Sequence, residues 1–326
     1  MSSNGASVSQ RAEELVAAGR AGEAVRLVRQ AAADQDAEAL FLLAAWTLSG
    51  GLVPRDLAEA RRLFGEAFAA GHRDAGAVYT AFLANGTGGA ADWRGAVALL
   101  GVRARTDPAA ARQLALIEAM ALDPDGAPVV SQSGREISAA PFVMRVERLF
   151  TAAECAYLID VAAPLLEPSL VIDPRSGRRM RDPVRTSDVA AFPLALENPA
   201  IHALNRRLAA TTGTRMAQGE PLQILRYRPG QEYKAHLDAL PHAQNQRFLT
   251  ALVYLNEAYE GGETRFPAID LSVRGKRGDA LIFRNTLRDG AIDESARHIG
   301  MAVRSGTKYI ASRWIRAQAI DLARQG

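Results

Sequence analysis

The sequence predicts two domains: an all-α helical-repeat solenoid over residues 1–130, then a double-stranded β-helix (jelly roll) with flanking helices over residues 131–326. Three observations predict this. A stretch rich in Ala, Leu, Arg and Glu repeats with a period of 36 as far as about residue 122. Turn chemistry follows between Asp123 and Ala140, as Asp-Pro-Asp-Gly and then Ser-Gln-Ser-Gly. Beyond Leu222 short alternating apolar runs between Gly-rich turns replace the helical spacing.

The chain has 326 residues, 48% hydrophobic and 23% charged, enough for two cores and too apolar for disorder. Its 39 basic and 36 acidic residues give a net charge of only +3, so the pI of 9.2 reflects a small surplus and not a basic tail. With 6% aromatic residues and no basic runs interleaved with aromatics, no nucleic-acid partner is implied. The single cysteine, Cys155, excludes an internal disulfide and reads as a core residue. Glu13, Glu14 and Glu23 interrupt the first thirty residues, which hold no continuous apolar run. Neither a secretory signal nor a membrane span is expected, and a cytoplasmic protein is.

In the first half, Ala24, Ala60 and Ala96 stand 36 apart, as do Ala39, Ala75 and Ala111. Small residues at fixed positions let antiparallel helices approach closely, and each hairpin then buries its apolar side on the next. Asp56 and Asp92 mark the same point ahead of two second helices, and Gly50-Gly51 and Gly86 mark the reversals, where a left-handed backbone is easiest for glycine. The segment Ala39 to Gly71 resembles the Sel1-like branch of tetratricopeptide-type repeats. Three uses stay open: a concave surface that captures a protein partner, a bundle that steadies its neighbour, and a dimerisation surface.

In the second half, a strand is predicted at Phe142–Val146. A helix follows from Thr151, where Thr151 and Glu154 fit a capping box. Pro199 opens a second helix to about Ala210, with Ile201, Leu204 and Leu208 on one face. Further strands are predicted over Leu222–Tyr227, Phe248–Asn256, Ala280–Phe283 and Lys308–Ile315.

The chemistry gathers on these strands. Tyr233 to Ala239 reads as a strand, and its alternation sends His236 and Asp238 to one face, able to bind one metal ion. His298, sixty residues after Asp238, would complete two imidazoles and one carboxylate. That facial set leaves adjacent positions open for a chelating cosubstrate and dioxygen, as in non-haem iron(II) oxygenases. Ten positions on lies Lys308, which shares a face with Ile310, Ser312 and Trp314. A buried ammonium needs an anion, and the distal carboxylate of 2-oxoglutarate would supply one; a solvated surface lysine is the plainer alternative. His242, six positions after His236 and preceded by Pro241, is an alternative ligand, but no lysine run follows it.

From residue 140 to 318 the sequence resembles the catalytic domain of collagen-type prolyl 4-hydroxylases and their bacterial relatives. The likeness rests on Glu220 to Tyr227, Gly230-Gln231, Tyr233 to Asp238, Thr250 to Asn256, Gly261 to Pro267, His298-Ile299-Gly300, and Arg185-Thr186-Ser187. It implies iron(II) held by His236, Asp238 and His298, and Lys308 as main partner of the 2-oxoglutarate distal carboxylate. Tyr227 and Thr264 would add hydroxyl hydrogen bonds and Trp314 would wall the pocket beside the iron. Arg185, Arg247 and Tyr254 would lie near the peptide groove. Ordinary uses stand beside these: core tyrosines, a turn threonine, a packed tryptophan. Ascorbate is a further candidate cofactor. Met301-Ala302-Val303, Tyr309 and Arg297 depart from the family pattern near the late histidine and the lysine.

The resemblance implies hydroxylation of an unactivated C–H bond, in first place a prolyl residue of a peptide or protein, which the repeats would recruit if they serve as a capture surface. Succinate and carbon dioxide would form from 2-oxoglutarate and dioxygen. No acid or base beyond the metal centre is required. Two other readings remain: hydroxylation of a free amino acid or small natural product, and a non-catalytic adaptor acting through the repeats.

Overall fold

A computed structural model describes residues 7–172 and 178–321; the outer ends of the two predicted domains, residues 1–6 and 322–326, lie outside it. The chain divides into two compact units, one of residues 1–126 with 194–203 and 321–326, the other of residues 127–193 with 204–320.

The first unit carries seven helices ahead of the first strand: α1 (Val8–Ala17), α2 (Ala21–Ala33), α3 (Ala37–Ser49), α4 (Leu57–Ala69), α5 (Arg73–Asn85), α6 (Trp93–Arg103) and α7 (Pro108–Glu118). Each packs on its neighbour in sequence. The 36-residue period has a physical basis at three kinds of position. Ala24, Ala60 and Ala96 are fully buried, so a larger side chain at any of them would push helices apart. Gly50 and Gly86 both end helices at φ +76, a left-handed conformation that stops a helix at low cost only for glycine. Asp56 and Asp92 cap α4 and α6, accepting from the amides of Glu59 and Gly95.

The third repeat departs from the period by one residue. Asp36 and His72 cap α3 and α5, yet the corresponding cap of α7 is Asp107. Ala110 is fully buried there, whereas the predicted Ala111 is half-buried. Pro108 dictates the slip: it has no amide proton, suits the first helical position, and so puts the cap one residue before itself. Replacing Asp92 with alanine should cost about 1 kcal/mol through loss of its cap, measurable as a shift of the denaturation midpoint with unchanged slope.

The second unit begins with the hairpin β1 (Arg135–Ala139) and β2 (Phe142–Val146), then α8 (Ala152–Ala162). The capping box is present in both directions, Glu154 N to Thr151 Oγ1 and Thr151 N to Glu154 Oε2. Short strands follow: β3 (Glu167–Pro168), β4 (Leu170–Ile172), β5 (Arg179–Arg181) and β6 (Asp188–Phe192). Helix α9 (Pro199–Thr212), which begins in the first unit and runs into the second, buries Ile201, Leu204 and Leu208 completely. Ten strands complete the unit: β7 (Leu222–Tyr227), β8 (Tyr233–His236), β9 (Arg247–Tyr254), β10 (Tyr259–Gly261), β11 (Thr264–Phe266), β12 (Leu271–Val273), β13 (Ala280–Arg284), β14 (His298–Gly300), β15 (Val303–Gly306) and β16 (Lys308–Arg316).

Twelve of these strands form a large sheet in the order β1-β2-β13-β9-β16-β7-β6-β3 and a smaller one in the order β12-β11-β14-β8, while β4 pairs with β5 and β10 with β15, all antiparallel. Leu225, Tyr227, Tyr254, Leu281, Phe283 and Ile310 of the large sheet share one core with Phe266 and Val273 of the small one. Two sheets closing over a common apolar interior give the double-stranded β-helix arrangement the strand pattern predicts. Cys155 is fully buried, and burial first, then the neighbouring Glu154 charge, push its thiol up to about 12; it is a core residue with no reactive thiolate. Among the described residues, no helix is long and apolar enough to cross a membrane.

Candidate metal centre and active site

Strand pairing places the late histidine. In the β14–β8 ladder His298 lies directly opposite His236, so the intervening chain from 237 to 297 is closed by two short strands. One expectation is corrected: β8 ends at His236, and Asp238 sits in the bend that follows, not on the strand. The bend turns the Asp238 carboxylate back beside the two rings. Its Oδ1 lies 3.5 Å from His236 Nε2 and its Oδ2 3.8 Å from His298 Nε2. One ligand atom from each of the three residues lies within 4.8 Å of the others. His242 stands outside this cluster, exposed, at φ +60.

The donor chemistry fits a metal ion. His236 Nδ1 faces Lys234 O at 2.8 Å and His298 Nδ1 faces Ala296 O at 3.1 Å. A carbonyl accepts only, so both Nδ1 atoms carry protons and both Nε2 atoms present lone pairs toward the carboxylate. Burial lowers the His298 imidazole to about 4, against the opposing pull of the Asp238 charge. Burial also works to raise Asp238, but the pull of the His236 and His298 rings once these are protonated, together with the Thr250 hydroxyl, outweighs it and holds the carboxyl far below its ordinary value. A buried neutral imidazole beside an ionised carboxylate is the protonation state a metal requires.

The cleft beside the cluster is lined by Tyr227, Tyr233, Thr264, Lys308, Ser312 and Trp314, with Leu225, Leu252 and Ile310 between them. Lys308, in that lining, is 3% exposed. Its Nζ donates to Gly262 O at 2.8 Å and lies 5.4 and 5.6 Å from the ring centres of Tyr227 and Tyr254. Burial pulls its ammonium down to about 8, with Glu263 opposing. Register puts Lys308 opposite Tyr227 on β7.

The remaining predicted residues separate by depth. Thr264 Oγ1 is 3.0 Å from the Tyr254 hydroxyl. Tyr254 is 1% exposed and lies outside the cleft lining, behind Thr264 and Lys308. Trp314 lines the cleft and carries the Arg247 guanidinium over its ring at 3.9 Å, while Arg247 makes two 2.7 Å hydrogen bonds to Glu220. Arg185 lies 5.7 Å from the Tyr233 ring centre, with its Nε buried and unpartnered.

Sequence reasoning missed Tyr233. Its ring stacks on His236 at 3.4 Å and 10°, although three residues along a regular strand would put the two on opposite faces. A bulge explains this: His298 pairs with His236 but Gly300 pairs with Tyr233, so Ile299 alone faces Lys234 and Ala235. Gly300 also makes room, since a Cβ there would come within 3.3 Å of Tyr233 Cβ. Thr250 and Asn285 were missed as well, although the alternation of Thr250, Leu252 and Tyr254 on β9 held a signal for the first.

Antiparallel sheets closing over two imidazoles, one carboxylate and a cleft lined by a buried lysine define a class, the double-stranded β-helix metal oxygenases. Comparison makes the assignment specific. Residues 222–316 match the 2OG-Fe(II) oxygenase superfamily. The chain is 34% identical over 204 residues to probable prolyl 4-hydroxylase 10 of Arabidopsis thaliana, covering 55% of this chain and 70% of that protein. It is 34% identical over 203 residues to prolyl 4-hydroxylase 1 of the same plant, covering 56% and 71%. The crystal structure of the viral collagen prolyl hydroxylase of Paramecium Bursaria Chlorella virus-1, a 2OG complex, is 27% identical, covering 54% of this chain and 96% of that one with a TM-score of 0.44. The chain belongs to the prolyl 4-hydroxylase family of 2OG-Fe(II) oxygenases. It is a dioxygenase whose cofactors are iron(II) and 2-oxoglutarate.

Proposed function

We propose that this chain hydroxylates a prolyl residue of a peptide or protein, with His236, Asp238 and His298 holding the iron. The observation that carries this is the convergence of the three ligand atoms beside a cleft lined in part by a buried ammonium; the relatives, prolyl 4-hydroxylases, point to the prolyl substrate. Bound iron(II), with 2-oxoglutarate and dioxygen, supplies the oxidation of a C–H bond to C–OH while 2-oxoglutarate becomes succinate and carbon dioxide.

The side chains bind, orient and exclude water. Lys308 pairs with the distal carboxylate of 2-oxoglutarate, which removes the cost of an unpaired buried cation. Tyr227 and Thr264 offer hydroxyls along that molecule. Burial, first among its influences, raises the Tyr227 phenol well above its ordinary value, so it stays a neutral donor at physiological pH. Tyr254, hydrogen-bonded to Thr264, holds that hydroxyl in place from behind. Trp314 walls the cleft, steadied by Arg247 on its ring. Arg185, beside the Tyr233 ring, and Arg247, over the Trp314 ring, would contact the peptide. Residues 1–130 form a Sel1/TPR-like repeat domain that recruits the protein carrying the target proline to the oxygenase domain of residues 131–326; the buried alanines at a spacing of 36 support that reading.

A proline-containing peptide should raise succinate formation from 2-oxoglutarate in the iron-loaded full chain, and mass spectrometry should find one added oxygen on a prolyl residue. Succinate formation that no peptide or protein stimulates, but a free amino acid does, would overturn the macromolecular substrate.

A further inference from the structure

We propose that Thr250 and Asn285 are positioning residues of the metal centre, a buried hydrogen-bond relay that fixes one oxygen of Asp238 and leaves the other to the ion. The inference rests on the metal-ligand reading above and extends it one layer outward. Thr250 is fully buried, Asn285 is 1% exposed and Asp238 5%. Thr250 Oγ1 donates to Asp238 Oδ2 at 2.7 Å, and Asn285 Nδ2 donates to Thr250 Oγ1 at 2.9 Å.

The direction of the relay follows from proton counting. A hydroxyl has one proton, and an ionised carboxylate only accepts, so the Thr250 proton belongs to Asp238. Whatever else meets Thr250 Oγ1 must therefore donate. Asn285 can do so only through its amide nitrogen, and its Oδ1 is then left buried without a partner. A buried unpaired acceptor is unfavourable; it persists here because turning the amide over would set two acceptors against the same hydroxyl proton.

Holding Oδ2 matters because a carboxylate can bind a metal through one oxygen or two. Asp238 Oδ1 faces His236 Nε2 and is the oxygen left for the ion. A carboxylate free to swing would bring both oxygens and close a position that a chelating cosubstrate or dioxygen needs. Asn285 also reaches the other late ligand. Its carbonyl accepts from Asp293 N, and Asp293 caps the turn Glu294–Ala296. Ala296 O in turn faces His298 Nδ1. One side chain thus steadies Asp238, and the same residue's backbone steadies the approach to His298.

The test is titration of the full chain with Mn(II) alone, followed by electron paramagnetic resonance, with melting of the metal-free proteins in parallel. Thr250→Val, close in shape but without the hydroxyl, should bind Mn(II) about 10–100-fold more weakly, the usual effect of removing an outer partner of a ligand. Thr250→Ser should restore wild-type affinity. Asn285→Ala should weaken binding, and should weaken it no further when added to Thr250→Val, because both break one chain of bonds. Val and Ala variants that melt lower yet bind Mn(II) as wild type does would overturn the relay, as would additive effects or no rescue by serine. If the Val variant does not fold, Thr250→Ser and Asn285→Ala decide the matter between them. A His298→Ala chain that binds Mn(II) as tightly as wild type would instead sink the metal-centre reading itself.

Discussion

Replacing His298 with alanine is expected to abolish iron-dependent turnover while leaving the chain folded. His298 is 4% exposed, and its ring packs against Phe283 at 4.7 Å and His236 at 4.2 Å, so alanine leaves a small cavity in the interior. That cavity costs on the order of 2–4 kcal/mol, tolerable for many domains. The chemical loss is larger. With two ligands left the ion is weakly held and no longer fixed relative to the cleft, so activity should fall more than 100-fold, beyond the roughly 10–100-fold that loss of an outer partner costs. Anaerobic addition of iron(II) and 2-oxoglutarate should give a visible charge-transfer band in the wild-type chain and none in His298→Ala. A wild-type chain without that band would remove the cofactor assignment from this protein.

The parts of the site legible in the sequence are those whose chemistry demands a residue type. His236, Asp238, His298 and Lys308 stand out because a metal needs nitrogen and carboxylate donors and a buried cation needs an anion. What hid was geometry set by pairing between distant strands. Nothing local says that His298 meets His236 across a ladder, or that a bulge in β8 turns Tyr233 onto the face of His236. Thr250 and Asn285 look like ordinary strand residues until the strands that carry them are seen side by side. Alternation gives the face of a side chain but not its depth, which is why Tyr254, expected near a groove, lies fully inside behind Thr264. The helical half shows the same division. Gly86 and Asp92 announce a turn and a cap by their own chemistry, whereas the one-residue slip at Pro108 turns on a missing amide proton that a search for period alone passes over.

Lys308 yields a prediction with two opposed pH trends. Its ammonium, at about 8 against an ordinary 10.5, is held down by burial before any anion arrives. Under the proposed pairing 2-oxoglutarate binds the charged form, so its affinity should be full below about pH 8 and fall toward tenfold per pH unit above it. Fold stability moves the other way. Between about 8 and 10.5 the unfolded chain holds the proton and the folded chain does not, so the Lys308 contribution to stability rises with pH across that window. Loss of 2-oxoglutarate binding in mild alkali therefore cannot be ascribed to unfolding through this residue. Lys308→Met keeps the stem and removes the charge. It should raise the Kd for 2-oxoglutarate on the order of 100-fold, within the cost of truncating one partner of a buried charged hydrogen bond, and it should flatten the alkaline limb. Calorimetric titration of 2-oxoglutarate into the Mn(II)-loaded chain between pH 6.5 and 9.5 reads both effects. An unchanged alkaline limb in Lys308→Met would assign that limb to another group and take the distal carboxylate away from Lys308.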